Sequence, residues 1–270
     1  MTAGHYTVND LLRVMQRLRD PEGGCPWDLK QDFRSIVPST LEECYELAEA
    51  IEHGDYPHVA EELGDVLFQV VFYARLGEEQ GLFSFPDIVH TLVDKLLRRH
   101  PHVFAHGEIE GVVADSVDEA EVKRSWEAIK RDERAARAQG GVLDDVPVAL
   151  PALPRAQKLQ KRAALVGFDW PDATAVLDKV DEERRELQEA MAAGSESAIA
   201  DEMGDLLFTC VNLSRQLGLD AETVLRQASA KFEQRFRAME KSAAAAGAVD
   251  LRALTAAELE QLWRAAKALT

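Results

Sequence analysis

The pattern of apolar positions along the chain predicts helices arranged in hairpins. Apolar residues recur three and four positions apart over residues 41–51, which is the spacing of one face of a helix. Gly54 and Pro57 interrupt this pattern, and helical spacing resumes from Val59 to about Leu76. Runs of β-branched residues and Gly-rich tight turns are sparse, so we predict an all-α fold.

The same arrangement recurs in the second half of the chain. The stretch Lys179–Phe208 repeats the pattern of Thr40–Phe68, with its own break at residues 193–197. Four acids of the first copy have acidic counterparts at an offset of 140 residues: Glu43 with Glu183, Glu46 with Glu186, Glu62 with Glu202, and Asp65 with Asp205. A single offset without a gap indicates a tandem duplication. Each copy predicts an antiparallel helical hairpin, because its break lies near the midpoint between its acids.

The two copies suggest two domains joined by a linker. The stretch SVDEAEVKRSWEAIKRDERAARAQGG predicts a solvated helix that stops at Gly140–Gly141, and LDDVPVALPALP follows with three prolines. We therefore predict an N-terminal domain over residues 1–115, a linker helix and Pro-rich connection over 116–150, and a C-terminal domain over 151–270.

Charge and composition exclude several classes of partner. The 270 residues include 48 acids and 31 bases, and the net charge of −17 repels a phosphate backbone, so we expect no nucleic-acid binding. No apolar run reaches the roughly 18 residues of a membrane span, and the N-terminus is unlike a signal peptide, so we expect no membrane association. Three cysteines without a CxxC motif indicate reduced thiols and a cytoplasmic protein, with Cys44 and Cys210 in the core.

The repeated acids predict a site for a hard divalent cation. Glu43 and Glu46 are three residues apart and share a helix face, as do Glu62 and Asp65 on the partner helix. Folding the hairpin gathers four carboxylates, which repel one another unless a cation neutralises them. Oxygen ligands favour Mg²⁺, with Mn²⁺ as a substitute, and Mg²⁺ commonly shares its ligands with substrate phosphates. An apolar run follows the acids, so we expect Asp65 and Asp205 where each helix enters the core.

Other residues around the acids suggest contacts to a ligand. Gly64 and Gly204 lie between the acids inside predicted helices, where glycine is unfavourable, and this indicates close approach of another helix or a ligand. Basic pairs with i, i+4 spacing follow each copy and are candidates for binding outer phosphates: Lys95 with Arg99, and Lys231 with Arg235. The alternative for these pairs is a basic helix surface. Trp27 and Trp170 are interpreted as core residues rather than as platforms that stack on a base.

The full set of motifs resembles the MazG family of nucleoside triphosphate pyrophosphohydrolases. The carboxylate motif reads EECYE (42–46) with ELGD (62–65) in the first half, and EERRE (182–186) with EMGD (202–205) in the second. The segments MQRLRDPEGGCPWD, RRHPHVF and VGFDW are also similar to the long tandem bacterial members. The resemblance covers nearly the whole chain.

The resemblance implies an all-α fold that forms a homodimer of four-helix-type bundles. It also implies that nucleoside triphosphates, ATP among them, are hydrolysed with Mg²⁺ to the monophosphate and pyrophosphate, as housecleaning of the nucleotide pool. The family's metal ligands map onto Glu183, Glu186, Glu202 and Asp205, and onto Glu43, Glu46, Glu62 and Asp65. Its substrate-binding residues map onto Lys179, Lys231, Arg235 and Trp263, with Lys95 and Arg99 as candidates in the first half.

A hydrolytic mechanism follows as a hypothesis. Glu42 or Glu182, the first acid of each motif, orients or deprotonates the water that attacks the α-phosphorus. Lys231 and Arg235 stabilise the charge on the departing pyrophosphate. Tandem members usually carry activity in the C-terminal half, but both halves of this chain keep all four acids. The distance from the second acid pair to the basic pair is 30 residues in the first half and 26 in the second, which predicts different ligand geometries.

Two other interpretations remain open from the sequence. One is a related helical phosphohydrolase that acts on phosphoribosyl-ATP or on dUTP, and a substrate panel would separate it by a narrow preference. The other is a helical interaction module that binds Mg²⁺ or a nucleotide without turnover. Binding measured by calorimetry, with no product on chromatography, would support the module.

Overall fold

The structure is a computed structural model that describes residues 5–111, 118, 121–122, 124–126, 128–129, 133, 141–246 and 250–268. Every regular element among these residues is a helix, so the predicted all-α fold is confirmed. The chain divides into two compact units, Met1–Glu133 and Arg134–Thr270. None of the described helices is long and apolar enough to cross a membrane.

The first unit is built around a helical hairpin. Its α-helices are α1 (Val8–Leu18), α2 (Val37–His53), α3 (Tyr56–Glu79) and α4 (Phe85–Arg99), with short 3-10 turns at Asp28–Lys30 and Ala105–Gly107. Helices α2 and α3 form the predicted hairpin, and α1 packs against α3. Gly54 ends α2 with a φ of 69°, a left-handed conformation that glycine adopts without steric cost.

Helix α3 begins earlier than the sequence pattern predicts. Its first residue is Tyr56 rather than Val59, so Pro57 lies inside the first turn and not in the connecting loop. Proline is tolerated at this position because the first backbone N–H groups of a helix have no partner within the helix. Asp55 caps the helix by accepting a hydrogen bond from the His58 N–H at 3.3 Å.

The core of the first unit lies along the C-terminal half of α3. Val71, Phe72 and Leu76 are buried there with Met15 of α1 and with Ile36, which precedes α2. Partly buried aromatic and aliphatic side chains surround this cluster: Leu11, Leu12, Phe33, Phe68, Tyr73 and Phe85. The N-terminal half of α3, which carries the acids, therefore lies outside the main core.

A buried arginine ties α1 to the end of α3. The Arg19 side chain is 7% exposed and donates to both Glu79 carboxylate oxygens, at 2.6–3.1 Å. It also donates to the backbone carbonyls of Asp28 and Gln31, and its guanidinium lies 5.4 Å from the centre of the Phe72 ring. These bonds hold the pKa of Glu79 below its ordinary value, with Arg75 contributing as well.

We expect Arg19→Ala to lower the free energy of unfolding of the first unit by about 3 kcal/mol. Removing Arg19 leaves Glu79 with only its bond from Arg75 and leaves two backbone carbonyls without the hydrogen bonds that Arg19 donates. The matched control is Arg75→Ala, because Arg75 also donates to Glu79, at 2.9 Å, from a more exposed position on α3. The control should lose less than about 1 kcal/mol. Equal, small losses in denaturant titrations of both variants would contradict this account.

The second unit repeats the hairpin and adds helices around it. Its helices are α5 (Ala152–Ala164), α6 (Ala173–Ala193), α7 (Glu196–Gln216), α8 (Ala221–Ala245) and α9 (Ala256–Ala268), with a 3-10 turn at Leu251–Ala253. Helices α6 and α7 form the hairpin, α5 packs on α7 and α8, and α9 packs on α8. The turn has Gly194 at a φ of 70°, and Ser195 then caps α7.

The segment between the repeats is partly described. Residues 121–122, 124–126, 128–129 and 133 are helical and Asp118 is not, and the other residues of the predicted linker helix, up to residue 140, lie outside the described residues. The Pro-rich stretch packs on the second unit, since Val146 is buried and Asp145 pairs with Arg162 of α5. The boundary between the two units, after Glu133, falls within residues 116–150 of the chain, and the bounds of that linker stay a prediction.

Two expectations about the core were wrong. Cys44 and Cys210 are exposed rather than buried, and Trp27 is exposed as well, whereas Trp170 is partly buried. Cys210 lines an open cleft with Leu153 of α5 and Leu225 of α8. A stripe of exposed apolar residues runs along each second hairpin helix at matching positions: Leu63, Leu67 and Val70 on α3, and Met203, Leu207 and Cys210 on α7.

Candidate active site

The first hairpin brings three glutamates together. Carboxylate oxygens of Glu43 and Glu46 on α2 and of Glu62 on α3 lie within 4.8 Å of one another. Glu62 is only 7% exposed, and its Oε1 lies 2.7 Å from His58 Nε2. Its other oxygen, Oε2, is buried and has no hydrogen-bond partner among the described residues. A buried carboxylate oxygen that accepts no hydrogen bond is suited to coordinate a cation.

The second hairpin repeats this cluster with one added charge. Carboxylate oxygens of Glu183, Glu186 and Glu202 also lie within 4.8 Å of one another, and Glu183 is 4% exposed. The ammonium of Lys179 lies 2.8 Å from Glu183 Oε1 and 2.9 Å from Glu182 Oε1. The residue of the first unit that is equivalent to Lys179 is Ser39, so the first cluster lacks this positive charge.

The aspartates of the two motifs lie outside these close groups. Asp65 and Asp205 are exposed, so the expectation that they mark entry into the core was wrong. The buried stretch of α3 resumes only at Gln69, one turn after Asp65, and that of α7 at Thr209. Asp65 is nevertheless near the cluster. After burial, its negative charge is the largest cause that raises the pKa of Glu43.

Burial, together with neighbouring carboxylates, raises the pKa of one glutamate in each unit. Partial burial raises the pKa of Glu43, and repulsion from Asp65, Glu46 and Glu62 adds to it. Burial also raises the pKa of Glu186, although the nearby Lys179 opposes this effect. Both clusters therefore carry negative charge that their own residues do not fully neutralise, and the first is the less neutralised of the two.

Glu182 and Glu42, the candidates for deprotonating the attacking water, lie at the edge of their clusters. Lys179 donates to Glu182 at 2.9 Å and holds the pKa of that carboxyl below its usual value, so Glu182 is ionised at neutral pH. Glu42 is exposed and lies next to Glu43, whose pKa its charge helps to raise. The structure thus places each first acid of the motif beside the three-glutamate group, outside the set of oxygens within 4.8 Å.

The substrate-binding candidates of the second unit lie on its outer helices. Lys231 and Arg235 are one turn apart on α8, with Lys231 exposed. Trp263 of α9 packs on Phe232 of α8 with ring centres 5.3 Å apart, and Lys267 Nζ lies 5.7 Å from the indole centre. Trp263 therefore packs against the helix that carries the basic pair, although it is 32 residues beyond Lys231 in the sequence.

The basic pair of the first unit has a different environment. Arg99 of α4 donates to Glu133 at 2.6 Å, and Arg98 donates to the same carboxylate at 2.9 Å. These two guanidinium groups lower the pKa of Glu133 to about 2, so the pairing persists at neutral pH. Lys95 is one turn before Arg99 on the same helix and is partly buried. A phosphate would have to compete with Glu133 for Arg99.

The two glycines of the motifs face open space. A Cβ atom built on Gly64 or Gly204 would meet no heavy atom within 4 Å, its own helix backbone aside. The close approach predicted from the sequence is therefore not made by any described residue of this chain. The room beside the clusters is available to a ligand or to another molecule.

One contact of the site was missed from the sequence. His58 lies four residues before Glu62 on α3 and touches it, and the second unit has Ala198 at the equivalent position. The i, i+4 spacing was the available signal, since residues four apart on a helix are neighbours. This contact makes the surroundings of the two clusters different.

The residues present fit a hard divalent cation. All three close ligands in each unit are carboxylate oxygens, they come from two facing helices, and one of them is buried with an oxygen left unpaired in the first unit. The fold and site together define a class: an all-helical protein with two tandem hairpins, each lined by carboxylates.

Comparisons with known proteins identify the family. A model of the MazG nucleotide pyrophosphohydrolase domain matches residues 31–104 and 172–239. A protein of Escherichia coli strain K12 named nucleoside triphosphate pyrophosphohydrolase is 49% identical over 262 residues, which cover 96% of this chain and 97% of that protein. A protein of Thermotoga maritima named nucleoside triphosphate pyrophosphohydrolase/pyrophosphatase MazG is 42% identical over 258 residues, 96% of this chain and 94% of that protein. The chain belongs to the MazG nucleotide pyrophosphohydrolase domain family and contains two copies of the domain.

Proposed function

We propose that this protein is a Mg²⁺-dependent nucleoside triphosphate pyrophosphohydrolase that releases the monophosphate and pyrophosphate. The observation that carries the proposal is the pair of three-glutamate clusters, each with oxygens within 4.8 Å and each built from two facing helices. The names of the relatives from E. coli and T. maritima support the same activity. Such an enzyme would remove unwanted nucleotides from the cytoplasmic pool.

The cation supplies positive charge that binds and polarises phosphate oxygens when it is present. Glu183, Glu186 and Glu202 would hold it in the second unit, and Glu43, Glu46 and Glu62 would hold it in the first. Asp205 and Asp65 are exposed and follow Glu202 and Glu62 by three residues on the same helices, and the charge of Asp65 raises the pKa of Glu43 after burial. We assign them to the ligand set on this placement, with Mn²⁺ as a substitute for Mg²⁺.

The remaining residues bind the substrate and handle the proton. Glu182 is held ionised beside Lys179 and accepts a proton from the water that attacks the α-phosphorus, and Glu42 has this role in the first unit. Lys231 and Arg235 bind the charge of the departing pyrophosphate. Trp263, which packs beside this helix, provides an aromatic face for the base.

The two units differ in ways that favour the second as the main catalytic half. Lys179 partly neutralises the second cluster, whereas the first unit has Ser39 at the equivalent position and has His58 beside Glu62. Arg99, the first unit's candidate for phosphate binding, is engaged by Glu133. The test is to replace Glu62 with Asp65, and separately Glu202 with Asp205, by alanine and to compare the activities of the two double variants.

We expect Lys179→Gln to affect the cation and the nucleotide in opposite directions. Without the ammonium group, Mg²⁺ should bind about 3–10-fold more tightly in the absence of nucleotide, because a competing positive charge is removed. The KM for the nucleotide should rise by a similar factor, because a phosphate partner is lost.

The control for this experiment is Arg184→Gln, which removes a positive charge from the same helix at an exposed position that contacts Asp181 and Gln188. Calorimetry with Mg²⁺ and steady-state kinetics give the two quantities. Weaker Mg²⁺ binding in Lys179→Gln, or the same behaviour in both variants, would contradict the assigned role.

The substrate panel distinguishes this proposal from the related phosphohydrolases. Turnover of several NTPs and dNTPs with Mg²⁺ is the expected result. A single preferred substrate, phosphoribosyl-ATP or dUTP, would instead assign the chain one of those activities.

A further inference from the structure

One acid of each cluster is buried and lies beside a basic side chain four residues earlier on its helix. In the first unit this acid is Glu62 of α3, and its neighbour is His58. In the second unit it is Glu183 of α6, and its neighbour is Lys179. Residues four apart lie on the same side of a helix, so each basic side chain reaches the acid directly. The buried acid is therefore on the second helix of one hairpin and on the first helix of the other.

The contact in the first unit engages only one oxygen of Glu62. His58 Nε2 lies 2.7 Å from Glu62 Oε1, which is within the range of a hydrogen bond to a carboxylate. The other oxygen, Oε2, is buried and has no hydrogen-bond partner among the described residues. The Glu62 carboxylate also has an oxygen within 4.8 Å of oxygens of Glu43 and Glu46. One oxygen of Glu62 is thus held from its own helix, and the second is left for another partner.

His58 contacts the cluster without belonging to it. The atoms that lie within 4.8 Å of one another in the first unit all belong to glutamates, and His58 is outside this group. Its side chain is half-exposed, and its backbone N–H is bonded to the capping side chain of Asp55. Replacing the imidazole therefore removes little packing and leaves the helix cap in place. This placement suits a residue that orients Glu62, rather than one that binds the cation itself.

The second unit lacks this support at the equivalent acid. Glu202 is only partly buried, and the residue four positions before it is Ala198, whose side chain has no polar atom. Lys179 instead contacts Glu183 at 2.8 Å and Glu182 at 2.9 Å. A lysine brings a full positive charge that opposes a cation, whereas a neutral imidazole donates a hydrogen bond without adding net charge. The two contacts should therefore affect cation binding in opposite directions.

Holding a ligand side chain in advance favours binding of a cation. A glutamate loses rotamer freedom when a cation fixes it, and that loss opposes binding. A side chain that is already held by a neighbour has less freedom to lose. Partners of this kind, which hydrogen-bond to ligating carboxylates, typically change metal affinity by about 10–100-fold when they are removed.

We propose that His58 is a positioning residue that holds Glu62 through Oε1 and leaves Oε2 for the divalent cation, so that the first site binds the cation more tightly than its acids alone would. This inference rests on the proposed cation-binding role of the glutamate clusters. Because Ala198 is the equivalent residue of the second unit, His58 makes the two sites differ in how their acids are held.

The test measures Mg²⁺ binding to the first site directly, in the absence of nucleotide. The full chain carries Glu202→Ala and Asp205→Ala, which disable the second site, and calorimetry gives the dissociation constant of the first. We expect His58→Ala to weaken Mg²⁺ binding by about tenfold. His58→Gln should stay within about threefold of the parent chain, because its amide N–H can donate to Glu62 in place of the imidazole. Electron paramagnetic resonance of free Mn²⁺ gives the same quantity for a second ion.

The matched control is His53→Ala in the same chain. His53 is an exposed histidine in the last turn of α2, seven residues beyond Glu46 and so about 10 Å along the helix axis. Its replacement should leave Mg²⁺ binding unchanged. Thermal midpoints establish that every variant is folded, as expected for changes at exposed and half-exposed side chains.

Three results would overturn the role of His58. These are unchanged Mg²⁺ binding in His58→Ala, tighter binding in that variant, as loss of a competing positive charge would produce, and binding in His58→Gln as weak as in His58→Ala. Each of them leaves the proposed hydrolysis in place, because the first site still binds the cation in the parent chain. A wild-type chain that binds neither Mg²⁺ nor Mn²⁺ would contradict the proposed function and this inference together.

Discussion

Simultaneous replacement of Glu62, Asp65, Glu202 and Asp205 by alanine is expected to reduce pyrophosphate release by at least roughly 10²–10³-fold. Each replaced pair lies on the second helix of a hairpin and faces the glutamates of the first helix. The remaining glutamates cannot surround a cation alone, so the charge that develops on the phosphates loses its main stabilisation. Pyrophosphate release with Mg²⁺ and a panel of NTPs is the measurement.

The control for the acid variant is Glu61→Ala combined with Asp201→Ala. These acids immediately precede Glu62 and Glu202, are exposed, and stand outside both close clusters. The control should keep near wild-type activity. The two acid pairs are also replaced separately, and we expect loss of Glu202 and Asp205 to account for most of the effect. Full activity in the quadruple variant would end the proposal for the acid clusters.

The second large effect concerns association of two copies of the chain. We propose a homodimer, because each hairpin leaves an apolar stripe uncovered at matching positions, with Leu67 of α3 and Leu207 of α7 near its middle. A chain with a net charge of −17 gains solubility from its surface but exposes these stripes unless a partner covers them. A second copy carries the complementary apolar surfaces, and isologous contacts are the commonest in soluble oligomers.

Leu207→Glu combined with Leu67→Glu is expected to convert the dimer to monomer at micromolar concentration. A carboxylate buried at the centre of an apolar contact has no partner there, and its desolvation opposes association strongly. The control is Val166→Glu, at an exposed apolar residue outside the stripes. Light scattering coupled to size-exclusion chromatography gives the mass. A wild type that is monomeric at all concentrations, or a double variant that remains dimeric, would contradict this proposal.

The hairpins and their acids were predictable because local rules determine them. Glycine at the end of α2 and of α6, followed by a capping side chain at Asp55 and Ser195, marks each turn in the sequence. Glutamates three residues apart share a helix face, so a hairpin with its turn midway between the acids brings them together. The single offset of the repeat then predicted the same cluster twice.

The exposure of particular side chains was not predictable from the sequence. An apolar position at helical spacing reads the same whether its own chain or a second copy covers it, and for this reason Cys44 and Cys210 were expected in the core. The ion pair of Lys179 with Glu183 depends on side-chain rotamers, and the ion pair of Arg99 with Glu133 joins residues 34 apart in sequence. They nevertheless determine how the two sites differ.

The burial of Gln160 and Asn212 also left no signal in the sequence. A glutamine on α5 and an asparagine on α7 are typical of solvent-exposed helix positions, yet both are buried against one cavity. Only the packing of α5 against α7 brings them together. Their unpaired atoms become visible once the hydrogen bonds of Phe208 and Arg215 are known.

The most direct test of the central claim is to identify the products formed from each NTP and dNTP in Mg²⁺ and isotopically labelled water. The account predicts equal amounts of monophosphate and pyrophosphate, with the labelled oxygen in the monophosphate and none in the pyrophosphate, and no turnover when a chelator removes the cation. Release of a nucleoside diphosphate and inorganic phosphate, or label in the pyrophosphate, would contradict it.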